Sequence, residues 1–137
     1  MEIKFRTIKV NGKSLVEEFI DSLPQKDRNK LLEVMQKTQE KGIDIAIRMK
    51  WVKKLSDNLY ELRSQQSNNI QRVIYFHLYE LETGSNYILT HGYTKKTRTI
   101  PKSEIERGIR IRDDFLGQPS DVLNEIFRKW KDGDRHV

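Results

Sequence analysis

The sequence predicts an α+β fold: a small twisted antiparallel sheet covered by an N-terminal helical hairpin, with one or two helices after the sheet. Three observations carry that expectation. Between residues 53 and 101, β-branched and aromatic runs separated by polar or Gly-containing turns call for three consecutive strands. Before them, two stretches carry apolar residues at three- and four-residue spacing, and after them the same helical spacing returns. A chain of 137 residues with 36% hydrophobic content is long enough for one domain with its own core.

Residues 2–10 alternate, with Ile3, Phe5, Ile8 and Val10 apolar, and suit an opening strand turned by Asn11-Gly12. Ser14 and Glu17 form a capping-box pattern, and Leu15, Phe19, Ile20 and Leu23 mark one face of a short helix. Pro24 fits the start of a second helix carrying Leu31, Leu32, Val34 and Met35, which Gly42 is placed to stop. Ile43, Ile45, Ile47, Met49 and Trp51 alternate with more polar positions, which reads as a strand or an extended connector.

The sheet proper opens at residues 59–63. A polar loop over 64–69 leads to a strand over 72–81, and Thr83-Gly84-Ser85-Asn86 turns the chain into a strand over 87–93. Tyr60, Tyr75 and Tyr87 read as sheet packing. Pro101 with Ser103 and Glu106 starts another helix, with Ile105, Ile109 and Leu116 facing inward, Arg107 and Arg110 in water, and Gly117 and Pro119 at its end. In residues 120–131, Leu123, Ile126, Phe127 and Trp130 form a helical stripe that either packs on the domain or meets a partner helix.

Composition removes several classes of function. With no cysteine, disulfides and thiolate metal sites are excluded. No apolar run approaches the ~20 residues of a membrane span, and the opening MEIKFRTIKV lacks the apolar core of a signal peptide, so a cytoplasmic protein without membrane contact is expected. The net charge of +6 is concentrated. Residues 50–112 hold twelve Lys/Arg against six Asp/Glu, whereas the flanking segments nearly balance.

The cations fall at the strand ends. Lys53 and Lys54 lead in, Arg63 ends the first strand, Arg72 opens the second, and Lys95, Lys96 and Arg98 follow the third. In an antiparallel meander Arg63 and Arg72 flank the same turn. A phosphate-rich partner matches such a surplus on one sheet.

The segments LYELR at 59–63, RVIY at 72–75 and LTHGYTKKT at 89–97, with Pro101 and Glu104-Ile105, resemble the signature of the phage-derived, HigB-like branch of the RelE/ParE toxin superfamily. The resemblance covers about residues 53–112 in motif and 2–42 in pattern. It divides the chain into a toxin domain over 1–117 and a C-terminal helical extension over 118–137. It implies the toxin of a type II toxin–antitoxin system, an endoribonuclease that cuts messenger RNA on the ribosome. It also implies a cognate antitoxin, a helix-turn-helix protein. Arg72 and the Lys95/Lys96 pair match positions where the family keeps basic catalytic residues, and Arg63 belongs to the branch signature.

RNA cleavage without a metal uses the ribose 2′-hydroxyl as nucleophile. The protein must then take a proton, stabilise charge on the transition state and protonate the leaving oxygen. No carboxylates or histidines stand at ligand spacing, so neither metal nor cofactor is expected. Arginine cannot be the base, because its guanidinium keeps its proton. The reading is therefore that Arg63 and Arg72 clamp the scissile phosphate while a lysine of the 95/96 pair, or His91, moves the proton. Lys53, Lys54, Arg98 and Tyr93 contact RNA. Some relatives place a catalytic tyrosine near the C-terminus; the helix starting near Pro101 has none, and Tyr93 is the available substitute. Two other classes stay open: a gyrase poison of the same fold, and a non-enzymatic RNA- or ribosome-binding module.

Overall fold

The computed structural model describes residues 3–78, 85–95 and 99–133. Lys96, Arg98, the Thr83-Gly84 pair and the last four residues lie outside that set. Strand β1 (Ile3–Thr7) is followed by helices α1 (Leu15–Ser22) and α2 (Gln25–Lys41), the expected hairpin. A short helix α3 (Ile43–Arg48) leads into strands β2 (Val52–Ser56), β3 (Leu59–Gln66), β4 (Asn69–Leu78) and β5 (Ser85–Lys95). Helices α4 (Lys102–Leu116) and α5 (Ser120–Lys131) close the chain. The sheet runs β1-β5-β4-β3-β2. β2 to β5 form the antiparallel meander, and β1 adds a parallel pairing at the far edge.

Local chemistry explains most boundaries. The Ser14 side chain accepts the Glu17 backbone N–H, satisfying one of the first-turn donors of α1. Gly42 adopts φ 90°, a left-handed conformation that glycine enters at little cost, and its N–H closes the last turn of α2 on Thr38. β3 runs on to Gln66, because the polar residues expected to form a loop pair instead with Gln71, Ile70 and Asn69. Only Ser67 and Asn68 are left to turn.

Two other expectations are corrected. The alternating isoleucines form α3 and not a strand: Ile43 and Ala46, three apart, share the inward face, while Ile45, Ile47 and Met49 are exposed. In α4 the inner stripe is Gly108, Ile111 and Phe115, and Leu116 is exposed. Pro101 occupies its N-cap position, so Ser103 lies inside the first turn and makes no cap.

The two sheet faces carry two cores. On one, α1 to α3 cover Leu62, Val73, Tyr75, Tyr87 and Leu89; Tyr75 stacks between Tyr60 and Tyr87, as the packing reading expects. On the other, Phe76, Leu78 and Ile88 meet Ile111, Phe115 and Trp130. The α5 stripe thus packs on the domain. Trp130 is 2% exposed, and the Arg6 guanidinium lies 5.5 Å from its ring centre. α4 approaches the sheet closely at Gly108, where a Cβ would come within 2.9 Å of Ile74.

The β2–β3 turn pins α4 and β4 together. Asn58, at φ 45°, donates through Nδ2 to the His77 carbonyl and accepts the His77 N–H at Oδ1, both at 2.9 Å. Arg112 of α4 donates to the Asp57 and Asn58 carbonyls at 2.8 and 3.3 Å. Asn58→Ala is expected to cost about 2 kcal/mol, since two partly buried hydrogen bonds vanish and a left-handed alanine replaces an asparagine. Urea unfolding measures it.

Candidate functional site

Register places the candidate residues more tightly than sequence spacing does. Arg63 pairs with Arg72, and Arg72 pairs with Tyr93, so three neighbouring strands present one row of side-chain positions. Directly opposite residues share a face. Because Arg72 has the same parity on β4 as Ile74, which meets Gly108, this face is the one carrying α4. Strands stand about 4.8 Å apart, so the row spans roughly 10 Å. Lys95 lies two residues beyond Tyr93, opposite Ile70.

The row has a buried layer and an accessible one. Arg72 and Glu61 are both 0% exposed, with Arg72 Nη1 donating to Glu61 Oε1 at 2.6 Å. Burying two charges is tolerable only with such a partner. Arg72 therefore lies beneath the surface, whereas the clamp reading places its guanidinium on the phosphate. Arg63, Tyr93 and Lys95 are half-buried; the two cations reach solvent, whereas the Tyr93 hydroxyl itself is buried. Neither Arg63 nor Lys95 has a carboxylate partner among the described residues.

His91 sits in the next row, opposite Ile74, which in turn faces Glu61. It is 1% exposed, and burial first, then the Arg107 charge, lower its pKa to about 4. Glu104 Oε1 lies 3.8 Å from its Nε2; that carboxylate favours the charged ring, but desolvation outweighs it. Thr90 Oγ1 donates to the Ile74 carbonyl at 3.1 Å and lies 3.0 Å from His91 Nδ1. With the hydroxyl proton so used, Nδ1–H donates to Thr90, and Nε2 is left as an acceptor without a hydrogen-bond partner. Tyr93 has its pKa raised to about 12 by burial and by Glu61, while Arg72 pulls the other way. Its phenol keeps its proton at neutral pH.

The family model for phage derived protein Gp49-like (DUF891) matches residues 18–113. The chain belongs to that family. It is a family of RelE/ParE-like toxins in general. No curated protein matches the chain. The Gp49-like region runs from α1 into α4 and so contains every residue of the row, Lys95, His91 and Glu104. β1 and all of α5 fall outside the match.

Within this Gp49-like region the remaining candidates scatter. Lys53 and Lys54 lie exposed on the edge strand β2 and point to opposite faces, Lys53 opposite Glu61 and Lys54 opposite Tyr60. Lys53 shares the site face two strands from β4. Lys96 and Arg98 lie outside the described residues. Among those described, no three His, Asp or Glu side chains gather as a metal group requires, and no helix is long and apolar enough to cross a membrane.

Three residues escaped sequence reasoning. Glu104 and Arg107 come from the inner side of α4, and their three-residue spacing, continuing to Gly108 and Ile111, was the available signal. Glu61 shares a strand face with Arg63 two residues on, and that local spacing points to the wrong partner. Its true partner is diagonal across the strand pair, visible only once register is known.

Keeping His91 neutral links stability to pH. The unfolded imidazole takes a proton near pH 6.5, the folded one only near pH 4. Between those values the unfolded state binds more protons, so stability falls as pH drops from 6.5 toward 4, by on the order of 2–3 kcal/mol. Unfolding midpoints at pH 7 and pH 4.5 should separate more in the wild type than in His91→Gln.

Proposed function

We propose that the chain is the toxin of a type II toxin–antitoxin pair of the HigB-like branch, and that it cleaves messenger RNA on the ribosome without a metal. The observation carrying this reading is the in-register row Arg63–Arg72–Tyr93 with Lys95 beside it. What supports it is that two accessible cations share a row of roughly 10 Å with a protonated phenol.

In this mechanism Arg63 and Lys95 hold the non-bridging phosphate oxygens, where negative charge grows as the 2′-oxygen attacks. Buried Arg72, neutralised by Glu61, holds the row from below and adds no net charge of its own. The Nε2 of His91, one row in and buried in the free chain, accepts the 2′-hydroxyl proton once RNA reaches it. The Tyr93 phenol, its oxygen likewise buried in the free chain, gives its proton to the departing 5′-oxygen. Lys96 remains a further proton carrier by family likeness, and Lys53, Lys54 and Arg98 extend the RNA track. The family also implies an antitoxin, which we take to be a helix-turn-helix protein covering this basic face.

One observation favours a non-cleaving relative, a gyrase inhibitor or plain RNA binder: the guanidinium of Arg72 is spent on Glu61. Purified chain added to a translating messenger decides between them. The nuclease cuts within the message and the binder leaves it intact.

A further inference from the structure

On the other side of the sheet, a cavity of about 450 Å³ opens between α2 and the β3–β4 hairpin. Lys30, Lys37, Lys50 and Arg63 border it together with Trp51 and Ser64, and no carboxylate does. Glu33, just outside, holds Lys37 at 2.8 Å and Lys30 at 3.8 Å, so one negative charge faces four positive ones. Lys50 and Arg63 have no carboxylate partner among the described residues.

Two further features point to a ligand. Ser64 is 4% exposed, yet its Oγ has no hydrogen-bond partner, an arrangement that costs free energy unless something else supplies one. Trp51 is half-buried, and the Lys37 ammonium lies 5.9 Å from its ring centre, so a flat apolar surface and cations face the same space. Aromatic surface beside cations is the pairing that holds single-stranded nucleic acid without reading its sequence.

We propose that this cavity binds one nucleotide unit, its phosphate between Lys30 and Lys50 with Ser64 Oγ as an added contact, and its base against Trp51. The unit belongs either to a single RNA strand or to a free nucleotide. The site is separate from the cleavage row, to which the Arg63 side chain belongs.

Trp51 supplies the readout, because Trp130 is the sole other tryptophan and is buried in the opposite core. The probes are a hexauridylate with 2′-O-methyl riboses, which cannot be cleaved by 2′-attack, and uridine monophosphate. Fluorescence should be quenched in the wild type and not in Trp51→Phe. Lys50→Glu, an exposed position checked for folding by circular dichroism, should weaken binding about tenfold and flatten its salt dependence. Lys30→Glu should act the same way. Tighter binding of the hexamer marks an RNA segment as the ligand; equal binding marks a free nucleotide. Absent quenching, quenching that persists in Trp51→Phe, or affinity unchanged by both charge reversals overturns the proposal. Because binding is read with uncleavable RNA, a chain that cleaves messenger but shows no quenching loses only this site. One that quenches but does not cleave loses only the nuclease reading.

Discussion

Arg72→Ala is expected to destabilise the fold by about 3–5 kcal/mol. The cost comes from what is left behind: Glu61, 0% exposed, keeps a carboxylate in the sheet interior without its cation. Glu61→Gln alone is expected to be costly as well, for the mirror-image reason. The double variant Glu61→Leu/Arg72→Met, which removes both charges and keeps apolar volume, should recover most of the loss. Urea unfolding of the three variants measures the coupling. If Arg72→Ala keeps the wild-type midpoint, the pair is not the buried ion pair described above.

The same burial changes how activity data on Arg72 must be read. The sequence alone suggests a variant that loses turnover while still reaching the ribosome. In the structure, loss of activity in Arg72→Ala mixes unfolding with chemistry. The double variant separates them. If it folds but does not cleave, Arg72 acts as a positioning residue through Tyr93, whose phenol its charge influences.

The second large effect is expected at the accessible layer. Arg63→Ala and Lys95→Ala should each lower cleavage about 10²-fold, in line with removing one donor from developing phosphate charge. Tyr93→Phe should lower it by about 10²-fold or more if the phenol protonates the leaving oxygen. Neither Arg63→Ala nor Lys95→Ala should cost more than about 1 kcal/mol of stability, since both are partly solvated and have no ion-pair partner among the described residues. Cleavage rates with melting curves on the same samples test this pair of statements together.

Much of the fold was legible because turn and cap chemistry is local. Ser14 caps α1, Gly42 ends α2, and the β-branched runs of β4 and β5 fall where their composition demands. The α5 stripe was legible as a buried face, and Trp130 fills that role. α3 was not, because Ile43, Ile45 and Ile47 imitate a strand. What decides against one is the neighbour: only Ile43 and Ala46 meet α2, and the other isoleucines stay in solvent. β2 reads as a lead-in because VKKLS holds no β-branched or aromatic run; as the edge strand it carries lysines of the kind that block pairing with another sheet.

The site was half legible. Charge clustering found Arg63, Arg72 and Lys95, and register then set Arg63, Arg72 and Tyr93 in one row. Depth was the missing quantity, since Arg63 and Arg72 look alike in sequence. One ends as a half-exposed edge cation and the other as the buried partner of a carboxylate eleven residues away. That difference arises from α4 closing over β4 near Gly108, a tertiary event with no local trace around Arg72.

The most direct test is end-group analysis of a translating messenger incubated with the purified chain. The proposed mechanism predicts internal cuts carrying 2′,3′-cyclic or 3′-phosphate ends, lost in the Arg63→Ala/Lys95→Ala double variant. An intact message with a folded wild-type chain, or equal cutting by that double variant, would contradict it.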